Sequence, residues 1–570
     1  MMKRHLAIIT ALVLIIAALP VYVGAADSDF EIKNGVLIRY NGTNGTVNVP
    51  ITVTAIGDYA FSKSSFVSKV TLPVSVKTIG NFAFNECAGL TSVSLGGGVT
   101  EIGAYAFSNC YYLKDINIPD SVRTIGDRAF SNCYSLSGLK LGNGLTDIGA
   151  RAFSMCLQLT EVNIPAKLAS IGIGAFSACF NLKNYTISET NTEFAAFEGV
   201  LYSKDGKTLV AYPQAREGAY KLRAGTTAIA GGAFSYAVAL TGIAGTQDIE
   251  IVRESAFEWC TSLRDIYLPK AQLVHDYAFN NCSSLKTARL GGAGIGQYSF
   301  AECPMLNTVI IAEGSKFIND FAFGWCPSLT DLVLPSSIQL IGNNVFSYTP
   351  KDTRILCESG TVPYKFFASI GMDCAPLPKA SDWALDILKS SDRFAVANLQ
   401  IGYRENATRY QFALAVANFL EQYYGKKVDA LLKERGLALG SFSDTKDIDI
   451  LMVNALGIVN GTGNGMFSPN ALLTREQAAT LMYRVMSETL GPDSGEDAPD
   501  EESGEGDETE ASSGLEYKDA GKISSWALEA VKVMTEEGIM VGDGANFNPQ
   551  QPCTREMCII MFSRLWNILA

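Results

Sequence analysis

Histidine is nearly missing from this chain of 570 residues, which contains only His5 and His275. His5 lies in an N-terminal segment that we expect to be removed, so a mature chain would keep His275 alone. A chain without clustered histidines cannot build a His-ligated metal site, and the same lack argues against a Ser-His-Asp triad. The sequence therefore predicts no metal, no cofactor and no catalytic residue, with only carboxylate-pair hydrolysis left open.

Clusters of basic residues are also missing, although charge is abundant elsewhere. The formal net charge is −13, and residues 488–510 alone contain eleven acidic residues and no basic ones. This stretch is rich in Gly, Ser and Pro, a composition that predicts an acidic disordered linker over 488–514. No basic patch remains that would indicate a nucleic-acid partner.

Long apolar runs are missing after residue 25, where no stretch approaches the ~18 residues that a membrane helix needs. One shorter run, Leu6 to Leu19, follows Lys3 and Arg4 and precedes the small residues V-G-A at 23–25. These are the three regions of a secretory signal peptide. We therefore predict a signal peptide over 1–25 and a secreted chain with no membrane span, held at the cell surface by binding.

What the chain does have is a period of 23 residues. An Ile-Gly pair recurs at Ile56, Ile79, Ile102, Ile125, Ile148 and Ile171. A phenylalanine follows each pair by five residues, and after one interruption the phenylalanines return at Phe234, Phe257, Phe279, Phe300, Phe323 and Phe346. A fixed period in this range predicts a solenoid. It argues against an enzyme, because a repeat preserves packing positions rather than one special site.

Each repeat contains a short strand and a turn. Leu113, Ile116 and Ile118 have the spacing of a strand with one face inward. Gly103 is expected to supply a tight turn, and Phe107 is large enough to fill the interior between coils. The period thus predicts a mainly β fold with short turns and helices.

The repeat pattern I-G-x-x-A-F-x-x-C-x-x-L-x-x-I-x-I-P, over about residues 51–350, resembles the BspA-like class of bacterial leucine-rich repeats. The resemblance implies a surface protein or adhesin rather than an enzyme. We divide the region into an N-terminal cap at 26–50, a first half at 51–193, and a second half with its C-terminal cap at 229–378. Residues 194–228, which interrupt the period, look like a β-hairpin insertion.

Nine of the thirteen cysteines lie three residues after a repeat phenylalanine. We interpret them as a ladder of small buried thiols, because parallel side chains on adjacent coils are poorly placed for disulfides. A metal ladder lacks both histidine and C-x-x-C pairing. Cys357 and Cys374, near the end of the solenoid, are the remaining candidates for a disulfide.

The outward strand positions change character along the solenoid. In the second half they become aromatic and apolar, at Tyr267, Arg289, Ile310 and Val333. Exposed rows of this kind indicate a contact surface in a secreted protein. The alternative is neutral drift on a tolerant face.

After about residue 378 helical spacing replaces the 23-residue period. Two segments align with each other through an aromatic-x-D motif (F-S-D at 442–444, Y-K-D at 517–519), G-I, F-x-P and T-R-E. A third, weaker copy contains Trp383-Ala384 and Thr408-Arg409. These segments resemble S-layer homology units. We place the units at 381–424, 442–487 and 517–567, which predicts an all-α module of three units with a degenerate first one.

The resemblance implies that these units bind a secondary cell-wall polysaccharide, which in this family is often pyruvylated. Each predicted helix begins at a threonine followed by an arginine, which favours a carboxylate site at the helix N-terminus. The candidate binding residues are Arg409, Arg475, Arg555, Trp383 and Trp526. The alternative is that each arginine pairs with a neighbouring unit and each tryptophan belongs to the core.

The sequence therefore predicts a cell-surface protein held non-covalently to the wall. Its solenoid would bind an unknown host, matrix or cell-surface protein or glycan. A second hypothesis is a structural envelope spacer without a specific partner.

Overall fold

The computed structural model describes residues 27–377, 381, 384, 399, 402–491 and 515–569. The predicted signal peptide, Trp383 and residues 492–514 of the predicted linker lie outside the described residues. The chain forms two compact units. One contains the residues up to Ala215 together with Gly231–Ser235, and the other contains Arg216–Ala230 and Tyr236–Ala570.

The first unit is a solenoid built from two rows of parallel strands, preceded by an antiparallel pair, Phe30–Lys33 with Val36–Tyr40. One row consists of Thr46–Asn48, Lys69–Thr71, Ser92–Ser94, Asp115–Asn117, Gly138–Lys140, Glu161–Ile164 and Asn184–Ile187. The other row has two-residue strands at Ala55–Ile56, Thr78–Ile79, Glu101–Ile102, Thr124–Ile125, Asp147–Ile148 and Ser170–Ile171. In the segment predicted as an insertion, Phe194–Phe197, Val200–Ser203 and Thr208–Ala211 pair antiparallel.

The second unit repeats the two-row plan. One row consists of Gly218–Lys221, Leu240–Ala244, Asp265–Leu268, Thr287–Leu290, Thr308–Ile311, Asp331–Val333, Arg354–Leu356 and Cys374–Ala375. The other row consists of Ala228–Ile229, Ile251–Val252, Leu273–Val274, Gly294–Ile295, Phe317–Ile318 and Leu340–Ile341. The predicted solenoid is thus confirmed as the architecture of the repeat region.

The interior of each coil is closed by stacked phenylalanine rings. From Phe61 to Phe176 the ring centroids of successive coils lie 4.7–5.3 Å apart. From Phe257 to Phe346 they lie 4.9–5.7 Å apart. The ring repeat follows the roughly 4.8 Å separation of parallel strands, so each ring packs on an identical neighbour.

The glycine of the Ile-Gly pair begins a turn and also allows close packing between coils. A Cβ on Gly103 would lie 2.8 Å from the backbone nitrogen of Asn81, so this residue allows two coils to approach. Positive φ falls instead on Tyr105 and Asn109 of the same coil, at 56° and 62°. Gly103 begins the expected turn, since its carbonyl accepts from the Ala106 N–H at 3.3 Å, but glycine is needed there because of the space between coils rather than because of φ.

The ladder cysteines are free, buried thiols, as predicted. In the first unit each Sγ lies 3.0–3.4 Å from the carbonyl oxygen of the phenylalanine one coil earlier, as a weak donor that satisfies a buried acceptor. Cys357 and Cys374 are also free, so the candidate disulfide is not formed. Cys374 pairs with Ile355 of the neighbouring strand, and Cys357 directly follows the end of that strand at Leu356.

We expect the ladder thiols to resist alkylation in the native protein. Burial raises the pKa of Cys87 and Cys179 to about 12, so almost no thiolate forms at neutral pH. Mass spectrometry after treatment with iodoacetamide should show these cysteines modified at least about a hundredfold more slowly in the native protein than in urea. Native modification of Cys133 at the unfolded rate would contradict the buried ladder.

The end of the solenoid and the C-terminal region contain seven described α-helices. They are α1 (Val362–Ser369), α2 (Arg409–Tyr424), α3 (Val428–Arg435), α4 (Ile448–Ala455), α5 (Arg475–Leu490), α6 (Leu528–Glu536) and α7 (Arg555–Leu569). Short 3-10 helices lie at Asp27–Asp29, Ala520–Lys522 and Ser525–Ala527. Helix α3 lies between the predicted first and second units, where no element was expected. Helix α5 reaches past residue 488, the predicted start of the linker.

Helices α2, α5 and α7 share one apolar core, in which Phe412, Val485 and Phe562 are fully buried. Their long apolar faces meet because none of the three could bury that face alone. None of the described helices combines the length and the apolarity that crossing a membrane requires.

Candidate functional site

The candidate site is built from the starts of α2, α5 and α7. The Thr408 hydroxyl accepts from the Gln411 backbone N–H, and the Gln411 side chain accepts from the Thr408 N–H. The same reciprocal pair joins Thr474 and Gln477. Both predicted capping boxes are therefore confirmed, and they hold the following arginine in the first helical turn.

Two of the three candidate arginines make equivalent contacts with the next segment of the chain. Arg409 donates from Nε to the Phe467 carbonyl at 3.0 Å and from Nη2 to the Asn460 carbonyl at 2.8 Å. Arg475 donates to the carbonyls of Phe547 and Val541 at 2.6 and 2.8 Å.

The two side chains are also equivalent in their burial. Arg409 is 2% exposed and Arg475 is 8% exposed. Each guanidinium lies over a phenylalanine ring, Phe467 or Phe547. These two arginines therefore join neighbouring segments, which was the alternative interpretation of the sequence.

Arg555 forms a contact of another kind. Its Nη1 lies 3.0 Å from the Glu405 carboxylate, which also accepts from Arg354 of the solenoid at 3.3 Å. Burial lowers the pKa of Arg555 from its usual range, and the attraction of Glu405 opposes this effect. A carboxylate of the chain thus already occupies the position where a carboxylate ligand was expected.

Backbone bonds join the three helix starts in a closed ring. The Arg409 N–H donates to the Ala471 carbonyl, and the Arg475 N–H donates to the Gln551 carbonyl. The Arg555 N–H donates to the Glu405 carbonyl, which returns to the first segment. Residues 492–514 separate the second segment from the third in sequence, but the ring closes across that separation.

Four acidic residues that were not predicted as site residues support the loops around the ring. Asp444 accepts the backbone N–H groups of Phe467 and Ser468, both at 2.7 Å. Asp519 accepts those of Phe547 and Asn548 in the same way. These backbone bonds lower the pKa of Asp444. The aromatic-x-D motif contained this signal, since a fixed aspartate before an F-x-P loop suits backbone clamping.

Glu476 and Glu556 connect consecutive segments. Glu476 accepts both the backbone N–H and the hydroxyl of Ser524, at 3.0 Å each. Glu556 makes the corresponding pair of contacts with Ser381. Trp526 lies two residues after Ser524 and is half-buried against the helical core. Glu476 thereby positions the segment that carries Trp526.

The predicted contact row of the second solenoid half faces the helices over part of its length. Tyr267 and Arg289 line a cleft whose other wall is formed by residues of α2. Ile310 and Val333 lie further along the row and are half-buried. The predicted row is therefore not exposed to solvent along its whole length.

A cluster of ion pairs joins this strand face to the helices. Lys427 Nζ lies 2.7 Å from Glu421 and 3.2 Å from Asp265. Lys286 Nζ lies 2.7 Å from Asp447 and 3.4 Å from Asp449. Arg264 also contacts Asp449, at 3.1 Å, and the Thr241 hydroxyl donates to Asp429.

Burial and charge act in opposite directions within this cluster. Burial opposes the charge of Lys427, but the attraction of Asp265 and Glu421 is larger and raises its pKa. Lys427 is therefore charged at all ordinary pH values, and it compensates the nearly buried carboxylate of Glu421, whereas Asp265 is half exposed.

Comparison with known proteins defines the class of the chain. The family described as BspA type leucine rich repeat region matches residues 39–137, 100–200 and 226–358, in six copies. These matches cover more than half of the chain, so the chain belongs to this family. The S-layer homology domain matches residues 441–479 and 516–556.

Individual relatives agree with this class. The chain is 30% identical over 112 residues to the surface-layer 125 kDa protein of Lysinibacillus sphaericus, over 19% of this chain and 8% of that protein. The chain thus spans about 8% of the length of the curated relative it matches.

Solved structures are similar to the repeat region. The pneumococcal vaccine antigen PcpA matches with a TM-score of 0.51 and 21% identity, over 61% of this chain and 95% of that one. A leucine rich cell surface protein of Faecalibacterium prausnitzii matches with a TM-score of 0.44 and 26% identity, over 60% and 95%. The PcpA match supports the fold alone.

Together, the repeats and the S-layer homology domains indicate a cell-surface protein of the S-layer-associated kind. Both domain families are non-catalytic. S-layer homology domains generally bind cell-wall polymers, whereas leucine-rich repeats generally mediate protein binding.

Proposed function

We propose that three S-layer homology units, at 381–424, 442–487 and 517–567, hold the chain non-covalently on a secondary cell-wall polysaccharide. The observation that carries this proposal is the closed ring of helix starts. Residues 441–479 and 516–556 match the domain family, and Arg409 makes the same contacts as Arg475 of a matched domain. The equivalence supports a first unit, although its sequence is degenerate. The solenoid would be presented at the cell wall for adhesion or for binding of a protein or glycan.

The five candidate residues differ in what they can offer to a polysaccharide. Arg409 and Arg475 are buried in contacts between segments, so we propose that they shape the grooves. Trp526 is half-buried and could stack on a sugar ring. Arg555 would have to exchange Glu405 for a ligand carboxylate, such as that of a pyruvyl group. We propose the same stacking role for Trp383 from its position in the sequence.

Co-sedimentation of the mature chain with isolated cell walls tests the anchoring. We expect binding to intact walls and its loss when the polysaccharide is stripped or depyruvylated. Equal binding to bare peptidoglycan would contradict the proposal.

A single substitution can test the stacking role of Trp526. We expect Trp526→Ala to weaken wall binding roughly two- to tenfold, because one aromatic contact is lost. The matched control is Trp259→Ala, which removes a tryptophan that is 39% exposed on the solenoid and should leave binding unchanged. Equal loss in both variants would show that the effect is not specific to the helical module.

One observation favours the spacer as a second candidate function. Tyr267 and Arg289 face the chain's own helices, which reduces the open surface available to a partner. Replacing Tyr267, Arg289, Ile310 and Val333 with serine would decide between the two functions. Unchanged adhesion in a cell-binding assay would favour the spacer, whereas lost adhesion would favour a contact surface.

A further inference from the structure

The cleft in the second unit has a volume of about 590 Å³, which lies within the ~300–1,000 Å³ range of small-ligand sites. Its solenoid wall includes Lys221, Tyr267 and Arg289. Its other wall includes Asn418 of α2 and Trp566 of α7. The residues come from distant parts of the chain, so no local motif indicates this cleft.

The lining of the cleft carries more positive than negative charge. Six basic and three acidic residues line it. The acidic residues Asp265, Glu421 and Asp449 form ion pairs with Lys427 or Arg264. Lys286 and Lys426 also pair with carboxylates outside the lining, those of Asp447 and Glu434. Lys221 is exposed and forms no ion pair within the described part of the chain. The field inside the cleft therefore favours an anionic ligand.

The remaining lining suits a ligand rich in hydroxyl groups. The Arg289 guanidinium lies 4.5 Å from the centre of the Tyr267 ring, a cation–π contact. A flat guanidinium directs several N–H donors along its edge, which matches a carboxylate. The amides of Asn307, Asn418 and Gln422 can both donate and accept, as sugar hydroxyls require.

We propose that this cleft binds an anionic saccharide of two or three rings, with its carboxylate at Lys221 and Arg289. A cleft of about 590 Å³ has room for a short saccharide but not for a long polyanion such as a nucleic acid. The inference goes beyond wall anchoring, because none of Arg409, Arg475, Arg555 and Trp526 lines the cleft. A wall polymer and a glycan from another cell can both present this chemistry.

Calorimetric titration of the full mature chain with trigalacturonate tests the proposal. We expect saturable binding, and at least about tenfold weaker binding of the neutral trisaccharide maltotriose. The double variant Lys221→Gln, Arg289→Gln should bind trigalacturonate about tenfold or more weakly. Lys316→Gln removes an exposed lysine elsewhere on the same solenoid half and is the matched control.

Three results would overturn the proposal: no binding of trigalacturonate, equal binding of maltotriose, or unchanged affinity in the double variant. If the double variant has a lowered melting temperature, Lys221→Gln alone serves instead, because this side chain is exposed and makes no ion pair in the described structure. Its affinity should still fall, and an unchanged affinity would count against the proposal.

Two further experiments identify the source of the ligand and distinguish the cleft from the wall-binding site. Fragments of the purified wall polysaccharide and a hyaluronan tetrasaccharide distinguish a wall polymer from a glycan of another cell. Trp526→Ala should leave trigalacturonate binding unchanged. If the wall fragments do not bind the cleft, the double variant should leave wall sedimentation unchanged. Failure of the cleft and failure of wall anchoring are thereby distinguishable.

Discussion

Replacing Phe130 with alanine is expected to destabilise the first solenoid unit by about 3–5 kcal/mol. Phe130 is fully buried, and its ring lies between those of Phe107 and Phe153 at 5.0 and 5.1 Å. Alanine would leave a ring-sized cavity in a stack whose neighbours are held by their own coils and cannot collapse into it. Because each coil contacts its nearest neighbours, the loss should also weaken the two adjacent coils.

Urea unfolding, combined with hydrogen exchange of the coil amides, measures this effect. Tyr112→Ala is the matched control, since Tyr112 is an aromatic residue of the same solenoid half that is 60% exposed. We expect that control to change the free energy of unfolding by less than about 0.5 kcal/mol. A loss of less than about 1 kcal/mol in Phe130→Ala would show that the ring stack is not the main packing element.

Replacing Lys427 with methionine is expected to destabilise the second unit by about 3 kcal/mol at pH 8. The substitution keeps the apolar stem and removes the charge that compensates Asp265 and Glu421. Glu421 is 15% exposed and would be left as a nearly buried carboxylate without its cation. Lys426→Met is the matched control, because Lys426 pairs with the exposed Glu434 and surface pairs contribute less than about 1 kcal/mol.

The loss in Lys427→Met should be smaller at pH 5.5 than at pH 8. Burial raises the pKa of Glu421 to about 7, with the attraction of Lys427 opposing it. Without Lys427 that pKa rises further, so the folded variant binds a proton more tightly than the unfolded chain does. A raised folded pKa makes stability fall as pH rises from the unfolded value of about 4.3 through the folded value. Urea titrations at both pH values measure this difference.

The double variant Glu421→Gln, Lys427→Met supplies the complementary test. It removes the uncompensated carboxylate, and we expect it to recover much of the stability lost in Lys427→Met. A double variant as unstable as the single one, at both pH values, would assign the loss to packing rather than to charge.

Features formed by residues close together in sequence were predictable, whereas contacts between residues far apart in sequence were not. The solenoid was predictable because its determinants, such as Ile102 and Phe107, lie within one coil and recur in the next coils. The capping boxes were predictable because Thr474 and Gln477 are three residues apart. The contact of Arg475 with Phe547 joins residues 72 positions apart, and no local pattern states which carbonyl a guanidinium reaches.

The sequence by itself determined the period, the burial of Phe107 and the free state of the thiol ladder, because each follows from a residue meeting its own copy one coil away. Tertiary structure decided what the outer residues face. Lys427 meets Asp265 across 162 positions, and with Lys286 it joins the helices to the strand face that carries Tyr267. Such pairings depend on how separate elements pack, and a periodic pattern contains no information about that packing.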